Sequence, residues 1–477
     1  MEVFSCIVSK ACELGELKDL RAFDGGPAIS HLLYADDALI LGEWSRGNIE
    51  NTARLLRVFY ICSGLKIKLK KSSLFGIGDV GEEVAIMART LGCRVGEFPF
   101  DYLGIKVGAK TNKSCHWDSV IDTIKRRLAS WKANSLSMGG RLTLIKSVLA
   151  SLPVYYLSLY KAPNKATDQM EKLMRNFLWA GSSEDKKLSW VAWDTVTKSK
   201  ENGGLGVSRL KDVNFAILAK WAWRFQIQKD SVWRKVVEMV HGGRGRWDFL
   251  PLNCRFNGCW NSIVKVLARR SFKGKSSKDI WYWGEEVNDV FSVAAVKLLI
   301  QDEVEISREQ LMRWESWIPI KINIFIWRAE MDRIPTKATL IRRRIDIQDG
   351  SCYLCDFGDE DVMHLFIGCG FSFGVWSAVG RWCNIMPLMA FEFKDVLGYH
   401  EQVSGGKWAK KVVRGVVMIT CWATWKARND KVFRGSNPRV VDVVAWIKSW
   451  SFLWLKGRSK FSDIVWNEGV LNPMYML

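Results

Sequence analysis

The 477-residue sequence predicts an α+β fold in which helices predominate. Near the start, two short apolar runs flank Tyr34-Ala35-Asp36-Asp37, a pattern typical of a β-hairpin with a polar turn. After residue 116, apolar residues recur at helical spacing over several segments. Cysteines and a histidine cluster at 352–369, which indicates a small metal-binding domain among the helices.

The charge of the chain favours an anionic partner. Lysine and arginine outnumber aspartate and glutamate by 70 to 50, a net charge of +20. This excess is spread along the chain, so it favours a broad binding surface for a polyanion, most often nucleic acid. The alternative is a basic protein whose charge only aids solubility. Most of the 25 tryptophans lie among apolar residues at helical spacing, and we expect these to pack in cores.

We expect a nuclear or cytoplasmic protein with no membrane partner. The first residues lack the basic segment and apolar run of a secretory signal, and no apolar run is long enough to span a bilayer. The lack of a secretory signal implies a reducing compartment, where clustered cysteines bind metal more often than they form disulfides.

The first hundred residues are predicted to mix helices and strands. Helices are expected over 1–17, 48–63 and 82–91. Gly64 is expected to end the second helix. Alternating apolar and basic residues over 65–71 predict a strand with one charged face, and 101–107 predicts another short strand.

The rest of the chain is predicted to be mainly helical. Helices are expected over about 116–131, 141–152, 166–179, 210–225, 412–428 and 440–454. The first has an apolar stripe formed by Trp117, Val120, Ile121, Ile124, Leu128 and Trp131. Basic residues are expected on the exposed faces of the first two helices, at Lys125, Arg126, Arg127, Arg141 and Lys146.

The adjacent carboxylates of Asp36 and Asp37 are the first candidate site. Two carboxylates at the tip of an apolar hairpin are costly unless a positive charge lies there, and divalent cations accept carboxylate oxygens readily. The alternative is an ordinary polar turn, since aspartates are common in turns.

The second candidate site is the pattern Cys352-x2-Cys355-x8-His364-x4-Cys369. Four such ligands can close a tetrahedron around zinc, with no coordination position left open, so we predict a structural zinc site. The alternatives are a chance cluster and a disulfide between Cys352 and Cys355, which the expected compartment disfavours.

Three stretches resemble reverse transcriptases, specifically those of LINE-type (non-LTR) retrotransposons of flowering plants. Tyr34-Ala35-Asp36-Asp37 is similar to the Tyr/Phe-x-Asp-Asp hairpin of the palm. Gly64-Leu65-Lys66-Ile67 with Lys71-Ser72 is similar to the next palm motif, apart from Lys68, where the family usually has asparagine. Tyr102-Leu103-Gly104-Ile105 is similar to the hairpin that grips the primer end.

This resemblance implies roles for individual residues. Asp36 and Asp37 would be catalytic and would hold Mg²⁺ in an intact polymerase. Nucleic acid, as RNA template or RNA–DNA duplex, would contact Lys71, Tyr102, Gly104, Lys125, Arg126, Arg127, Arg141 and Lys146. The alternative for each basic residue is a solvated helix face. Residues 291–376, with the four cysteine and histidine ligands, resemble the zinc-binding domain found downstream of plant LINE polymerases.

The resemblance also implies a division of the chain into five segments. These are a partial palm (1–108), a helical thumb and connector (109–235), a variable linker (236–290), the zinc-binding domain (291–385) and a helical C-terminal extension (386–477).

We expect the chain to be an N-terminally truncated reverse transcriptase that does not synthesise DNA alone. In that family the fingers and a further metal-binding aspartate lie upstream of the hairpin, and only 33 residues precede Tyr34. Losing a metal ligand removes positioning and charge stabilisation from phosphoryl transfer. Two alternatives are a non-enzymatic, zinc-stabilised nucleic-acid-binding protein and a gene-prediction fragment without stable function.

Overall fold

A computed structural model describes most of the chain, which divides into two compact units. The described ranges are 2–21, 26–78, 81–110, 112–130, 136–181, 188–242, 246–247, 250–253, 258–269, 275–277, 280–282, 291–302, 312–459 and 465–473. Unit 1 comprises Met1–Ile121, Pro153–Asp168 and Leu210–Ile300, and unit 2 comprises Asp122–Leu152, Gln169–Arg209 and Gln301–Leu477. The division of the chain into five segments stays a prediction.

Helices predominate, which confirms the predicted α+β, mainly helical class. The α-helices are α1 (Glu2–Glu13), α2 (Arg46–Ser63), α3 (Glu83–Leu91), α4 (Asp118–Ser130), α5 (Met138–Leu144), α6 (Val154–Leu157), α7 (Asn164–Ala180), α8 (Trp193–Val196), α9 (Leu210–Ile227), α10 (Val232–His241), α11 (Cys259–Arg269), α12 (Val293–Asp302), α13 (Ile320–Glu330), α14 (Lys337–Arg342), α15 (Gly370–Cys383), α16 (Phe393–Gly398), α17 (Lys407–Arg434), α18 (Val440–Arg458) and α19 (Trp466–Leu471).

The strands form pairs only, as far as the described residues go. They are β1 (Leu20–Arg21), β2 (Ala28–Ile29), β3 (His31–Tyr34), β4 (Asp37–Ile40), β5 (Ser73–Leu74), β6 (Arg94–Val95), β7 (Phe100–Tyr102), β8 (Ile105–Val107), β9 (Arg246–Trp247), β10 (Leu250–Pro251), β11 (Lys275–Ser277) and β12 (Ile280–Tyr282). Each strand pairs with its neighbour in this order; β5 and β6 are parallel and the other pairs are antiparallel.

In unit 1, α1 and α2 support the hairpin β3–β4. The rings of Phe4 and Phe59 meet edge to face with centroids 5.0 Å apart, and Leu33 and Ile40 of the hairpin pack against the same core. Gly64 ends α2 at φ 71°, as predicted, because glycine adopts the left-handed conformation without a Cβ clash.

Two strand predictions in unit 1 were wrong. Residues 65–71 form no strand but end in a 3₁₀ turn at Leu69–Lys71, because a strand requires a partner and β5, two residues later, pairs with β6 instead. Residues 101–107 form the hairpin β7–β8 rather than one strand, with positive φ at both turn residues, Leu103 and Gly104. The family resemblance, unlike the alternation pattern, implied a hairpin there.

A second core of unit 1 forms between α9 and α11. Phe225 of α9 lies 5.0 Å from Trp260 of α11, measured between ring centroids, and Val264 and Leu267 are fully buried beside them. Helix α11 lies within 236–290, so part of that segment contributes to a core.

In unit 2, α13, α15 and α17 share one core. The ring of Phe325 in α13 lies 5.1 Å from Trp422 and 5.8 Å from Trp425 of α17, centroid to centroid. Trp317 packs directly on the backbone of α17 at Gly415, where a Cβ atom would lie 1.9 Å from the indole ring. Helix α17 therefore belongs to the core of unit 2.

Two basic side chains that we expected to be exposed are half-buried. Arg141 of α5 donates to the carbonyl of Leu178 at 3.2 Å, near the C-terminal end of α7. Burial lowers the pKa of Arg141, and burial and repulsion from Lys200 lower that of Lys146. Trp131, predicted on the stripe of α4, lies outside the described residues.

Candidate functional site

Cys352 and Cys355 lie on a tight turn built from backbone hydrogen bonds. The N–H of Asp356 donates to the carbonyl of Cys352 at 2.8 Å, and the N–H of Cys352 donates to the carbonyl of Gly358 at 2.9 Å. Gly358 has φ 64°, and a Cβ there would lie 3.1 Å from the His364 ring. The turn thus places both thiols towards the imidazole.

His364 and Cys369 bracket a π-helical turn, His364–Gly368. The backbone N–H of His364 donates to the Asp361 carboxylate at 2.7 Å, and that of Cys369 donates to the carbonyl of His364 at 2.7 Å. Cys369 is also the N-terminal cap residue of α15. His364 and Cys369 are therefore held at the two ends of one short helical turn.

The four side chains lie close enough together to surround one zinc ion. Their ligand atoms all lie within 4.8 Å of one another, with 4.0 Å between the sulfurs of Cys352 and Cys369 and 3.2 Å between Cys355 Sγ and His364 Nε2. Zinc bonds of about 2.3 Å to sulfur and about 2.0 Å to nitrogen require ligand separations of roughly 3.5–3.8 Å. The residues therefore fit structural zinc, as predicted.

Electrostatics at the site favour a thiolate on Cys369. The Cys352 thiol donates to the Cys369 sulfur, which lowers the pKa of Cys369, although burial raises it. Backbone N–H groups of Ser372 and Phe371, in the first turn of α15, lower it further. The same hydrogen bond, in which the Cys352 thiol is the donor, raises the pKa of Cys352, and burial raises it as well. A dication bound here would stabilise the second thiolate as well.

A buried ion pair supports the turn, and sequence reasoning missed it. Glu360 accepts the backbone N–H groups of Lys337 at 3.1 Å and of Tyr353 at 3.3 Å. Its carboxylate also pairs with Arg428 of α17, with 2.6 Å between Oε1 and Nη2. Sequence alone showed Glu360 only as an acidic residue between zinc ligands. Its partner Arg428 lies 68 residues away, so no local pattern connects the two.

Asp36 and Asp37 lie at the exposed tip of β3–β4. Tyr34 pairs with Asp37 in the register, so Ala35 and Asp36 form a two-residue turn, with Ala35 at φ 47°. Nearby, His31 is held between the hydroxyls of Ser5 at 2.8 Å and Ser30 at 2.9 Å. Within the described ranges, Cys352, Cys355, His364 and Cys369 form a cluster of three or more potential metal ligands. Asp36 and Asp37 belong to no such cluster there.

The predicted nucleic-acid contacts are distributed over both units. In unit 1, Lys71 and Gly104 are exposed and Tyr102 is half-buried. The hydroxyl of Tyr155 donates to the carbonyl of Leu103 at 2.9 Å and so holds the turn between β7 and β8.

In unit 2, the exposed basic residues of α4 form local contacts. Lys125 pairs with Asp122 at 2.9 Å, and Arg126 donates to the hydroxyl of Thr123 at 3.0 Å. Arg127 is exposed on the same helix. Their roles in nucleic-acid binding, like those of Arg141 and Lys146, stay predictions.

None of the described helices combines the length and the hydrophobicity that crossing a lipid bilayer requires.

Comparison with known proteins places the metal centre in a known domain type. Residues 291–376 match a family described as zinc-binding in reverse transcriptase. The chain is 24% identical over 422 residues to a putative ribonuclease H protein of Arabidopsis thaliana, covering 70% of this chain and 66% of that protein. It thus spans slightly less than two thirds of that relative.

A second relative is matched over most of its length. It is an uncharacterized mitochondrial protein of Arabidopsis thaliana, 30% identical over 115 residues, which cover 24% of this chain and 75% of that protein. With the zinc-binding match and its four ligands, this similarity shows that the chain is a retrotransposon-related protein and belongs to the family of that mitochondrial protein.

Proposed function

We propose that the chain derives from the RNA-directed DNA polymerase of a LINE-type (non-LTR) retrotransposon, and that by itself it binds nucleic acid without synthesising DNA. The observation that carries this proposal is the Cys₃His group, which lies inside the segment that matches zinc-binding in reverse transcriptase. The three stretches around Asp36, Lys71 and Gly104 support the same origin.

The zinc would have a structural role. Four protein ligands fill a tetrahedral shell, so no position remains for a water or a substrate. Bound zinc would hold the turn at Cys352 and the first turn of α15 together. Zinc would thus stabilise the local fold and would take no part in a reaction.

Asp36 and Asp37 would be two of the carboxylates of a polymerase metal site. Mg²⁺ bound there would neutralise charge on the transferred phosphates. Both side chains are exposed, as a site that receives a primer end requires. Because they form no group of three potential ligands within the described ranges, we propose that the isolated chain lacks a complete site.

Primer extension tests the inactivity. Wild-type protein is incubated with poly(rA), a primer and Mg²⁺ or Mn²⁺, beside an Asp36→Ala, Asp37→Ala double variant. We expect equal signals from the two proteins. DNA synthesis by the wild type above the double variant would show that the isolated chain is a polymerase.

Binding to an RNA–DNA duplex tests the proposed contacts on α4. We expect affinity to fall as salt rises, because each phosphate contact releases counterions. Replacing Lys125, Arg126 and Arg127 with alanine should reduce the slope of log affinity against log salt by about one per lost contact. The charge-matched control replaces the exposed Lys10, Arg46 and Arg439, and we expect it to keep most of the slope. Equal slopes for both variants would contradict these contacts.

A second candidate function is a non-enzymatic, zinc-stabilised nucleic-acid-binding protein. It is favoured by the closed Cys₃His group and by the lack, within the described ranges, of a group of three potential ligands that includes Asp36 and Asp37. Mg²⁺ separates the two candidates: a polymerase remnant should bind a primed template more tightly with Mg²⁺ only while Asp36 and Asp37 are present. Binding that ignores both Mg²⁺ and these aspartates would favour the second candidate.

A further inference from the structure

Helices α17 and α18 form a groove in unit 2 that has no role in the function proposed above. The cavity has a volume of about 690 Å³. Its lining includes Trp446, Trp450 and Trp454 from α18 and Trp422, Lys426 and Arg434 from α17. We call it the tryptophan groove.

The tryptophans of α18 form a continuous aromatic ladder. They lie four residues apart, so they share one helix face, and neighbouring rings lie 5.8 Å (Trp446–Trp450) and 5.0 Å (Trp450–Trp454) apart between centroids. Trp450 is 36% exposed, whereas we expected most tryptophans to be core residues. An exposed indole leaves a large apolar ring face in water, and a flat ligand could cover it.

Cations line the same groove. Lys321, Lys426, Arg434 and Arg458 contribute four positive charges and Asp430 one negative charge, a balance of 4 − 1 = +3. Asp430 is paired with Arg434 at 3.3 Å. The ammonium groups of Lys426 and Lys321 lie 4.9 Å and 5.7 Å from the ring centroids of Trp446 and Trp422. Positive charge therefore lies beside the aromatic rings of the groove.

We propose that the tryptophan groove binds single-stranded nucleic acid. Aromatic rings beside cations match a strand in which unpaired bases alternate with phosphates. A duplex does not fit this arrangement, because its bases are already stacked within the helix. A proline-rich peptide could use the indoles but would leave the cations without a function. The inference rests on the proposed nucleic-acid binding and assigns a site and a strand form to it.

Fluorescence anisotropy of the zinc-loaded full chain tests this proposal. The probe is a labelled oligothymidylate or oligouridylate of about 12 nucleotides, within the usual size of a single-strand site. We expect Trp450→Ala and Lys426→Ala each to weaken binding about tenfold, with Trp450→Phe recovering most of the loss. Trp408→Ala and Lys456→Ala change exposed side chains of the same helices outside the groove, and we expect them to bind as the wild type does.

The outcomes separate the groove from the proposed function. Zinc content and circular dichroism first show which variants fold, and Lys426→Glu provides a second test at an exposed position if Trp450→Ala does not fold. If the wild type binds the single strand and the groove variants bind equally well, the groove assignment is overturned while nucleic-acid binding stands. If the wild type binds neither single strand nor duplex, both are overturned. Displacement of the oligonucleotide by a polyproline peptide, with no effect of Lys426→Glu, would also overturn the groove assignment.

Discussion

Glu360 and Arg428 form a buried ion pair that joins the zinc turn to α17. The guanidinium Nη2 lies 2.6 Å from Glu360 Oε1, and Nε lies 3.1 Å from Oε2. Both side chains are almost inaccessible, at 0% exposed for Glu360 and 5% for Arg428. The guanidinium also lies 4.9 Å from the Tyr353 ring centroid, so it contacts a residue between two zinc ligands. Helix α17 is thereby part of the support of the metal centre.

Glu360→Gln should destabilise unit 2 by about 3–5 kcal/mol, because it leaves the Arg428 charge buried without a counterion. Urea unfolding of the zinc-loaded protein measures this loss. Adding Arg428→Met should recover part of the stability, since the double variant contains no unpaired charge.

Asp442→Asn is the matched control for this pair. It breaks the exposed pair of Asp442 with Arg439, whose side chains are 57% and 78% exposed, and should change the stability little because solvent screens the pair. Equal losses for Glu360→Gln and Asp442→Asn would contradict a structural role of the buried pair.

Gly358→Ala should weaken zinc binding by about tenfold or more. Its positive φ disfavours any residue with a Cβ, at about 1–2 kcal/mol, and that Cβ would press on the His364 ring at 3.1 Å. Competition with a chelator measures the zinc affinity. Gly370→Ala is the control, because a Cβ there meets no atom within 4 Å, although Gly370 follows a zinc ligand. If the two variants lose affinity equally, the geometry of the turn at Gly358 is not what matters.

Removing zinc should unfold the turn at Cys352 and loosen α15 from it. We expect one zinc per chain by elemental analysis, and much less for Cys352→Ser and for His364→Ala. Cys62→Ser changes an exposed cysteine of unit 1 and should leave the zinc content unchanged. Wild-type protein purified with zinc in the medium but containing none would refute the site.

The zinc site could be predicted from sequence because its determinants are local. Ligand type and spacing over 352–369 were sufficient, and helix α2 was likewise predicted from periodicity and from Gly64. The strand over 65–71 failed because alternation describes a side-chain pattern and not the presence of a pairing partner.

Packing between distant segments had no sequence signal. Arg428 lies 68 residues from Glu360, and Phe325 meets Trp422 only because α13 and α17 pack together. The exposure of Trp450 depends likewise on the tertiary position of α18. Periodicity predicts which residues share an apolar face of a helix, but it does not show whether another element covers that face.

Asn214→Ala should destabilise unit 1 by roughly 2–4 kcal/mol, because it leaves several backbone groups without partners. The buried Asn214 side chain accepts the N–H of Ala162 at 3.0 Å and donates to the carbonyls of Leu157 at 2.7 Å and Tyr160 at 2.8 Å. Asn112→Ala, at an exposed position of unit 1, is the control and should cost much less. Similar unfolding midpoints for both variants would show that the segment 157–162 does not depend on Asn214.

Glu330 should make unit 2 less stable as pH rises from about 4.5 to about 7. Burial raises the pKa of Glu330 to about 7, although its carboxylate accepts the N–H of Met312 at 3.2 Å. Below its ordinary pKa of 4.5, the carboxyl is protonated in both states and burial has no electrostatic cost. Between about 4.5 and 7 the unfolded chain loses this proton first, so the free energy of unfolding falls with pH and levels above about 7.

Glu330→Gln should remove this dependence and stabilise the protein by roughly 1–2 kcal/mol at pH 8, after allowance for partial solvent exposure. Other charged or titratable groups line the same cavity, namely Arg313, Lys394, His400, Glu401 and Arg414. These groups and the zinc ligands are the same in wild type and variant, so their effects cancel in a comparison. The unfolding free energies of both proteins are measured in excess zinc from pH 5 to 8. The difference between them reports on Glu330. The exposed Glu43→Gln serves as the control and should give a flat difference. A variant less stable than wild type at pH 8 would mean that the ionised Glu330 has a favourable partner in the folded protein.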